Sequence, residues 1–329
     1  MCRIMYLQNP KKVIKNVEWM IEFLEYLESV NGGHGNGVGG LVKINGKKKF
    51  KIKKGLGLTH KDAVEFMLNN NFVNGVMWHT RMASSGSVDS KHNHPHIDLD
   101  HIVMLVHNGH ISYADEYLRA LKVMDRRYWN YTYYGYNYYG YQYYKTKNEE
   151  EKVTDTWIMV NMIGKLIKLG IVEGRSIDDV MKNIWEKMLS HDAVIVQLFN
   201  GTVYLLIDRD DFEWVYDDEL GTIAVSQGLY YMGYEKTIQG KGVVKIPING
   251  KPEIIVGKFK VKTTKKTEKG IKSRKKEVKT IEVDVTDINA DCMDLCEILY
   301  GNIDECIEIC RDKEFESAEE LTEYILEHI

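Results

Sequence analysis

The order of elements along the chain predicts an α+β fold in which two sheets carry helices packed against their outer sides. Three observations lead there. Strand-like apolar runs open the chain and dominate again from Ala193 onwards, long segments of helical periodicity lie between them, and the Asn-Gly pairs at 45–46 and 200–201 mark tight hairpins. Taken in order, residues 2 to 7 read as a strand, and Asn9-Pro10 offers an N-cap followed by a first-turn proline. A helix is expected from that point, with Val13, Val17, Met20, Ile21 and Leu24 at helical spacing and Asn31-Gly32-Gly33 as its stop.

Gly40-Leu41-Val42 and Phe50 to Ile52 then flank the Asn45-Gly46 turn, and Thr59 with Asp62 can cap a helix over residues 60 to 70. Val76 to His79 and Ile102 to Val106 read as buried strands. Helices are expected near 114 to 125, 154 to 169 and 176 to 189. Ala193 to Phe199 and Thr202 to Ile207 form a second hairpin, and Thr222 to Ser226 is a further strand. Two segments depart from this pattern. Ten of the seventeen residues from Tyr128 to Tyr144 are tyrosine, which reads as an insertion over 128–146. Lys262 to Lys279 is basic and lies between strand patterns at 254 to 261 and 280 to 285, as the tip of a long hairpin would. The organisation expected is a domain over residues 2–250 and a C-terminal extension over 251–329, a basic hairpin followed by helices.

The chain has 329 residues, enough to bury a large core, and its 44% hydrophobic and 28% charged composition is that of a globular protein. A net charge of -4 gives no global attraction to nucleic acid or anionic lipid, and the Tyr-rich segment has few cations interleaved, so neither is expected as a partner. The apolar runs are shorter than the ~20 residues of a membrane-spanning helix, and the N-terminus lacks the layout of a secretion signal. Cytoplasmic residence is the expectation. Of five cysteines, Cys292, Cys296, Cys306 and Cys310 fall in a C-x3-C, nine-residue, C-x3-C array. Two helices could bring these sulfurs together around zinc or an iron–sulfur cluster, but the same residues lie on apolar stripes, and packing is the favoured reading.

The fifth cysteine is Cys2. Removal of Met1 would leave a free α-amine beside its thiol, and an amine of pKa about 8 is a competent base at neutral pH, so one residue would supply both nucleophile and base. Further along come Trp78-His79-Thr80-Arg81-Met82-Ala83-Ser84-Ser85-Gly86, then His92-Asn93-His94-Pro95-His96, then Val106-His107-Asn108-Gly109-His110, and finally Val153-Thr154-Asp155-Thr156. In this order, after Cys2, these segments resemble the class II glutamine amidotransferase domain of the N-terminal nucleophile hydrolases.

The resemblance implies a four-layer αββα sandwich and an activity that needs no cofactor, the release of ammonia from the glutamine side chain. It implies Cys2 as nucleophile, the Asn108 amide and Gly109 N–H as the oxyanion hole, Arg81 on the α-carboxylate and Asp155 on the α-ammonium of the substrate. His79 and His94 match positions that line or support this pocket, and His94 before Pro95 is held in an extended turn. Gly33-His34-Gly35-Asn36-Gly37-Val38-Gly39 and Met82 are closer to stand-alone members than to the sugar synthases. No synthase domain is recognisable beyond residue 250, so the ammonia goes to water or to an acceptor on a separate synthase subunit. The alternatives are hydrolysis of another γ-glutamyl amide and binding of an amide ligand or partner without turnover.

Overall fold

The computed structural model of the chain describes residues 2–30, 32–83, 88–133, 151–264 and 280–282. In order, its elements are β1 (Arg3–Leu7), α1 (Pro10–Val13), α2 (Val17–Val30), β2 (Asn36–Ile44), β3 (Lys47–Gly55), α3 (His60–Leu68), β4 (Val76–Thr80), β5 (His96–Ile97), β6 (Val103–Asn108) and α4 (Ala114–Met124). There follow β7 (Tyr131–Tyr133), β8 (Glu151–Val153), α5 (Asp155–Val172), α6 (Ile177–Met188), β9 (Ala193–Leu198), β10 (Val203–Ile207), β11 (Glu213–Asp217), β12 (Gly221–Val225), β13 (Lys236–Ile246), β14 (Glu253–Thr263) and β15 (Thr280–Glu282). The fold is α+β, as the sequence predicts.

Local chemistry explains most boundaries. Asn45 and Gly46, at φ of 53° and 82°, make the β2–β3 turn with both central residues in the left-handed region. Thr59 accepts the Asp62 N–H while the Asp62 carboxylate accepts the Thr59 N–H, which closes the capping box of α3. The helix expected from Pro10 onwards is instead two. Its first turn ends at Val13, and Asn16 Oδ1 then accepts the Trp19 N–H at 3.0 Å, starting α2 afresh.

Among the described residues, thirteen strands form one antiparallel sheet along the path β3-β2-β4-β1-β12-β11-β13-β10-β9-β6-β5, with β14 on β13 and β15 on β14. The sequence leads one to expect two sheets, and the hydrogen bonding joins them. The eleven-residue β13 is long enough to pair with β11 through Gln239 and Ile238, and with β10 through Gly242 to Ile246. A separate parallel pair, β7 with β8, closes the two ends of the Tyr-rich insertion. Residues 134–146 of that insertion, 265–279 of the basic hairpin, and the helices and four cysteines expected in the C-terminal extension lie outside the described residues.

Side chains alternate along the strands between three apolar clusters. Met5 and Leu7 of β1 join Val76, Trp78, Ile223 and Val225 under α2 and α3. Val103 and Leu105 of β6 join Val194, Val196 and Leu206 under α4, α5 and α6. The opposite faces of the same strands, Ile4 and Tyr6 of β1 with Met104 and Val106 of β6, meet in the third cluster although the strands are far apart in the sheet path. Among the described residues no helix is long and apolar enough to cross a membrane.

Candidate active site

The predicted residues arrive from separate places in the chain. Cys2 immediately precedes β1, and Arg81 follows β4, the neighbour against which β1 pairs Arg3 with Thr80. Asn108 is the last residue of β6, Gly109 follows it, and Asp155 is the first residue of α5 after its Thr154 cap. A small, partly open pocket gathers Cys2, Arg81, His94, Gly109 and Asp155 with Met82, His92, His107, Thr154 and Thr156. Asn108 and His79 are not in that lining. Both lie directly behind it, Asn108 wholly buried with its Nδ2 on Ser226 Oγ at 3.2 Å, and His79 with its ring 3.9 Å from that of His94.

The Gly-rich stretch from 33 to 39 makes room for this. The Arg81 N–H donates to Gly35 O and the His34 N–H to Arg81 O, both at 2.9 Å, while the Ala83 N–H donates to His34 Nδ1 at 3.0 Å. A side chain at Gly37 would strike the His94 carbonyl, so only glycine lets the 93–96 loop lie across β2. The Lys54 ammonium donates to the carbonyls of Lys91, Asn93 and Pro95 and fixes the loop from the other side.

Cys2 is partly buried, with Sγ accepting the Met82 N–H at 3.3 Å. Burial pushes its thiol up, and the Met82 hydrogen bond and the Arg81 charge pull against that. Such a thiol is mostly protonated at neutral pH and needs a base to act as a nucleophile. Asp155 is the opposite case. Burial alone would raise it, but the hydrogen bond from His110, the charges of His107 and His110 and the Ile111 N–H hold it down at about 2. It is therefore an anion facing a pocket that also holds the Arg81 guanidinium, a pairing able to grip both charges of an amino acid.

Gly109 sits against a buried acid that the sequence gives no means of finding. A Cβ at Gly109 would overlap Asp192 Oδ1 and crowd His107 Nε2. Asp192 cannot retreat easily, because its carboxylate accepts the His110 N–H at 2.7 Å and the Ser190 N–H at 2.8 Å and lies 3.1 Å from His107 Nε2. His107 in turn is 3.1 Å from Thr156 Oγ1. Since a carboxylate only accepts, the ring nitrogen that faces it, Nε2, carries a proton. His107 and His110 flank the Asn108-Gly109 pair, and that adjacency was the available signal for them. Behind the pocket, Ser226 Oγ accepts the Ile4 N–H at 3.1 Å, and Arg209 donates to the Asn108 carbonyl at 3.3 Å.

Among the described residues no cluster of His, Cys, Asp or Glu is arranged to hold a metal. No protein-family model matches the chain, and no curated protein matches it significantly.

Proposed function

We propose that the chain is a class II glutamine amidotransferase-type N-terminal nucleophile hydrolase, acting on the side-chain amide of glutamine through Cys2. The observation that carries this reading is the convergence of Cys2, Arg81, Gly109 and Asp155, from four separate segments, on one pocket. Three apolar clusters, one of them shared by β1 and β6, support the matching architecture, since a four-layer αββα sandwich needs three apolar interfaces.

With Met1 removed, the Cys2 α-amine takes the thiol proton and the thiolate attacks the amide carbon of glutamine. The oxyanion that forms meets the Gly109 N–H. Asn108 supplies the second donor after a half-turn of its amide: Oδ1, which has no partner among the described residues, then accepts from Ser226 Oγ, and Nδ2 becomes free to donate. The carbon–nitrogen bond breaks as the α-ammonium returns its proton to the departing ammonia, leaving a γ-glutamyl thioester. Water attacks this thioester with the same amine as base, the carbon–sulfur bond breaks, and glutamate leaves. Arg81 holds the α-carboxylate throughout and Asp155 the α-ammonium. The ammonia passes to water or to an acceptor.

Mass spectrometry after treatment with a diazoketone analogue of glutamine tests the reading. A single adduct on an N-terminal Cys2 is expected, lost in Cys2→Ala; labelling at any other residue overturns it. Release of glutamate from γ-glutamyl conjugates but not from glutamine would favour the γ-glutamyl hydrolase reading.

A further inference from the structure

His110 is a histidine whose partner is the carboxylate assigned to the substrate. Its Nδ1 lies 3.3 Å from Asp155 Oδ2, its side chain is 43% exposed, and it follows Gly109, which lines the pocket together with Asp155. The His110 backbone is fixed by its N–H bond to Asp192, so the ring reaches Asp155 from an anchored position. The contact differs from the other bonds of this carboxylate. Ile111 and Thr156 donate neutral backbone N–H groups, which leave the negative charge available, whereas a protonated imidazole cancels it.

We propose that His110 is a titratable counter-charge that sets the pH range over which Asp155 accepts an ammonium-bearing substrate. The inference rests on the amidotransferase reading of the site. With His110 neutral, this contact does not offset the Asp155 charge that the α-ammonium meets; with His110 protonated, it does. The hydrogen bond to Asp155 raises His110 above its ordinary value, partly opposed by burial, and linkage makes the effect mutual: protonation of His110 weakens ammonium binding by the factor by which the ammonium weakens protonation. Among the described residues, the charged and titratable groups around the pair include Asp192 and His107 from the β9 and β6 sides, Arg81 and Cys2 across the pocket, and Tyr133 and Asp115 beyond Asp155. Each is present in every variant used below, so their titration cancels in the comparison.

The experiment measures inactivation of the full chain, with Met1 removed, from pH 6 to 8.5. Two probes are compared: the diazoketone glutamine analogue, which carries the ammonium, and iodoacetamide, which reports only the Cys2 thiol. The ratio of their rates should fall by about tenfold between pH 8 and pH 6, the scale of one unit of coupling between charges. His110→Gln should flatten the ratio at its high-pH level, and His110→Lys, charged throughout, should hold it low at every pH. A flat ratio in the wild-type chain, or the same fall in His110→Gln, overturns the proposal while leaving the amidotransferase reading intact. Absence of Cys2 labelling by the glutamine analogue at any pH overturns both.

Discussion

Lowering the pH should destabilise this protein steeply, beginning near neutrality, because three histidines are buried together, His94 at the pocket and His79 and His96 beside it. His94 lies 3.9 Å from His79 and 5.2 Å from His96, ring centre to ring centre. Burial holds all three well below their ordinary value, and neighbouring cations, Arg81 for each of them, reinforce it. Both ring nitrogens of His79 lack a partner among the described residues, and the His107 N–H donates to His94 Nδ1. The unfolded chain takes up protons as pH falls through about 6.5, and the folded chain cannot follow. Their contribution is therefore complete above 6.5 and is lost progressively below it.

Three excluded protons correspond to about 4 kcal/mol per pH unit at the steepest part of the curve. Asp98 acts in the opposite sense. Burial raises it to about 6, so that only the folded chain protonates it between that pH and its unfolded value, and it cancels about one proton of the three. A net slope of about 3 kcal/mol per unit remains, reduced somewhat further by the raised His110. Urea unfolding followed by tryptophan fluorescence at several pH values between 7.5 and 5.5 gives the slope directly. His79→Phe, which leaves no hydrogen bond broken, should reduce it by about one proton. A wild-type slope below one proton, or an unchanged slope in His79→Phe, would refute the reasoning.

Gly109→Ala should lower stability by about 1–3 kcal/mol through overlap with the pinned Asp192 carboxylate and should slow Cys2 labelling by about 10²-fold or more, measured by thermal denaturation and inactivation kinetics on the same sample. Asp155→Asn should raise the concentration of glutamine analogue needed for half-maximal labelling by at least about tenfold while leaving the iodoacetamide rate nearly unchanged; equal loss with both probes would instead indicate damage to the thiol environment. Thr59→Ala, remote from the pocket, should cost about 1 kcal/mol by removing the α3 cap and leave labelling at the wild-type rate, which separates stability from chemistry.

Most of what could be read from the sequence was local. The Asn45-Gly46 turn, the Thr59 capping box and the helices starting at 114, 155 and 177 follow from chemistry within a few residues, and they appear where that chemistry places them. The split between α1 and α2 escaped because an asparagine within an apolar periodicity reads as a surface position, whereas here it caps a new helix. Strand β13 escaped for another reason. Gly240 and Gly242 weaken its strand signal, yet they are what allow it to approach the backbone of β14 at Lys258 and Val256. At the site, four ordered motifs pointed to Cys2, Arg81, Asn108, Gly109 and Asp155. Asp192 could not be found in this way, since its place at the site comes from residues distant in sequence, Gly109, His107 and His110.

The junction of β11 with β13 consists of Glu213 opposite Gln239 and Trp214 opposite Ile238, and it is the hydrogen-bonded link between the strands on the Cys2 side and those on the Asn108 side. Cys2 and Arg81 belong to the first group, Gly109 and Asp155 to the second. A state in which each group kept its own strands and helices but lost its docking onto the other would retain its circular dichroism and lose the pocket. On the proposed function, reactivity of Cys2 toward a glutamine analogue would measure how the two halves are assembled, and it should vanish before the secondary structure does.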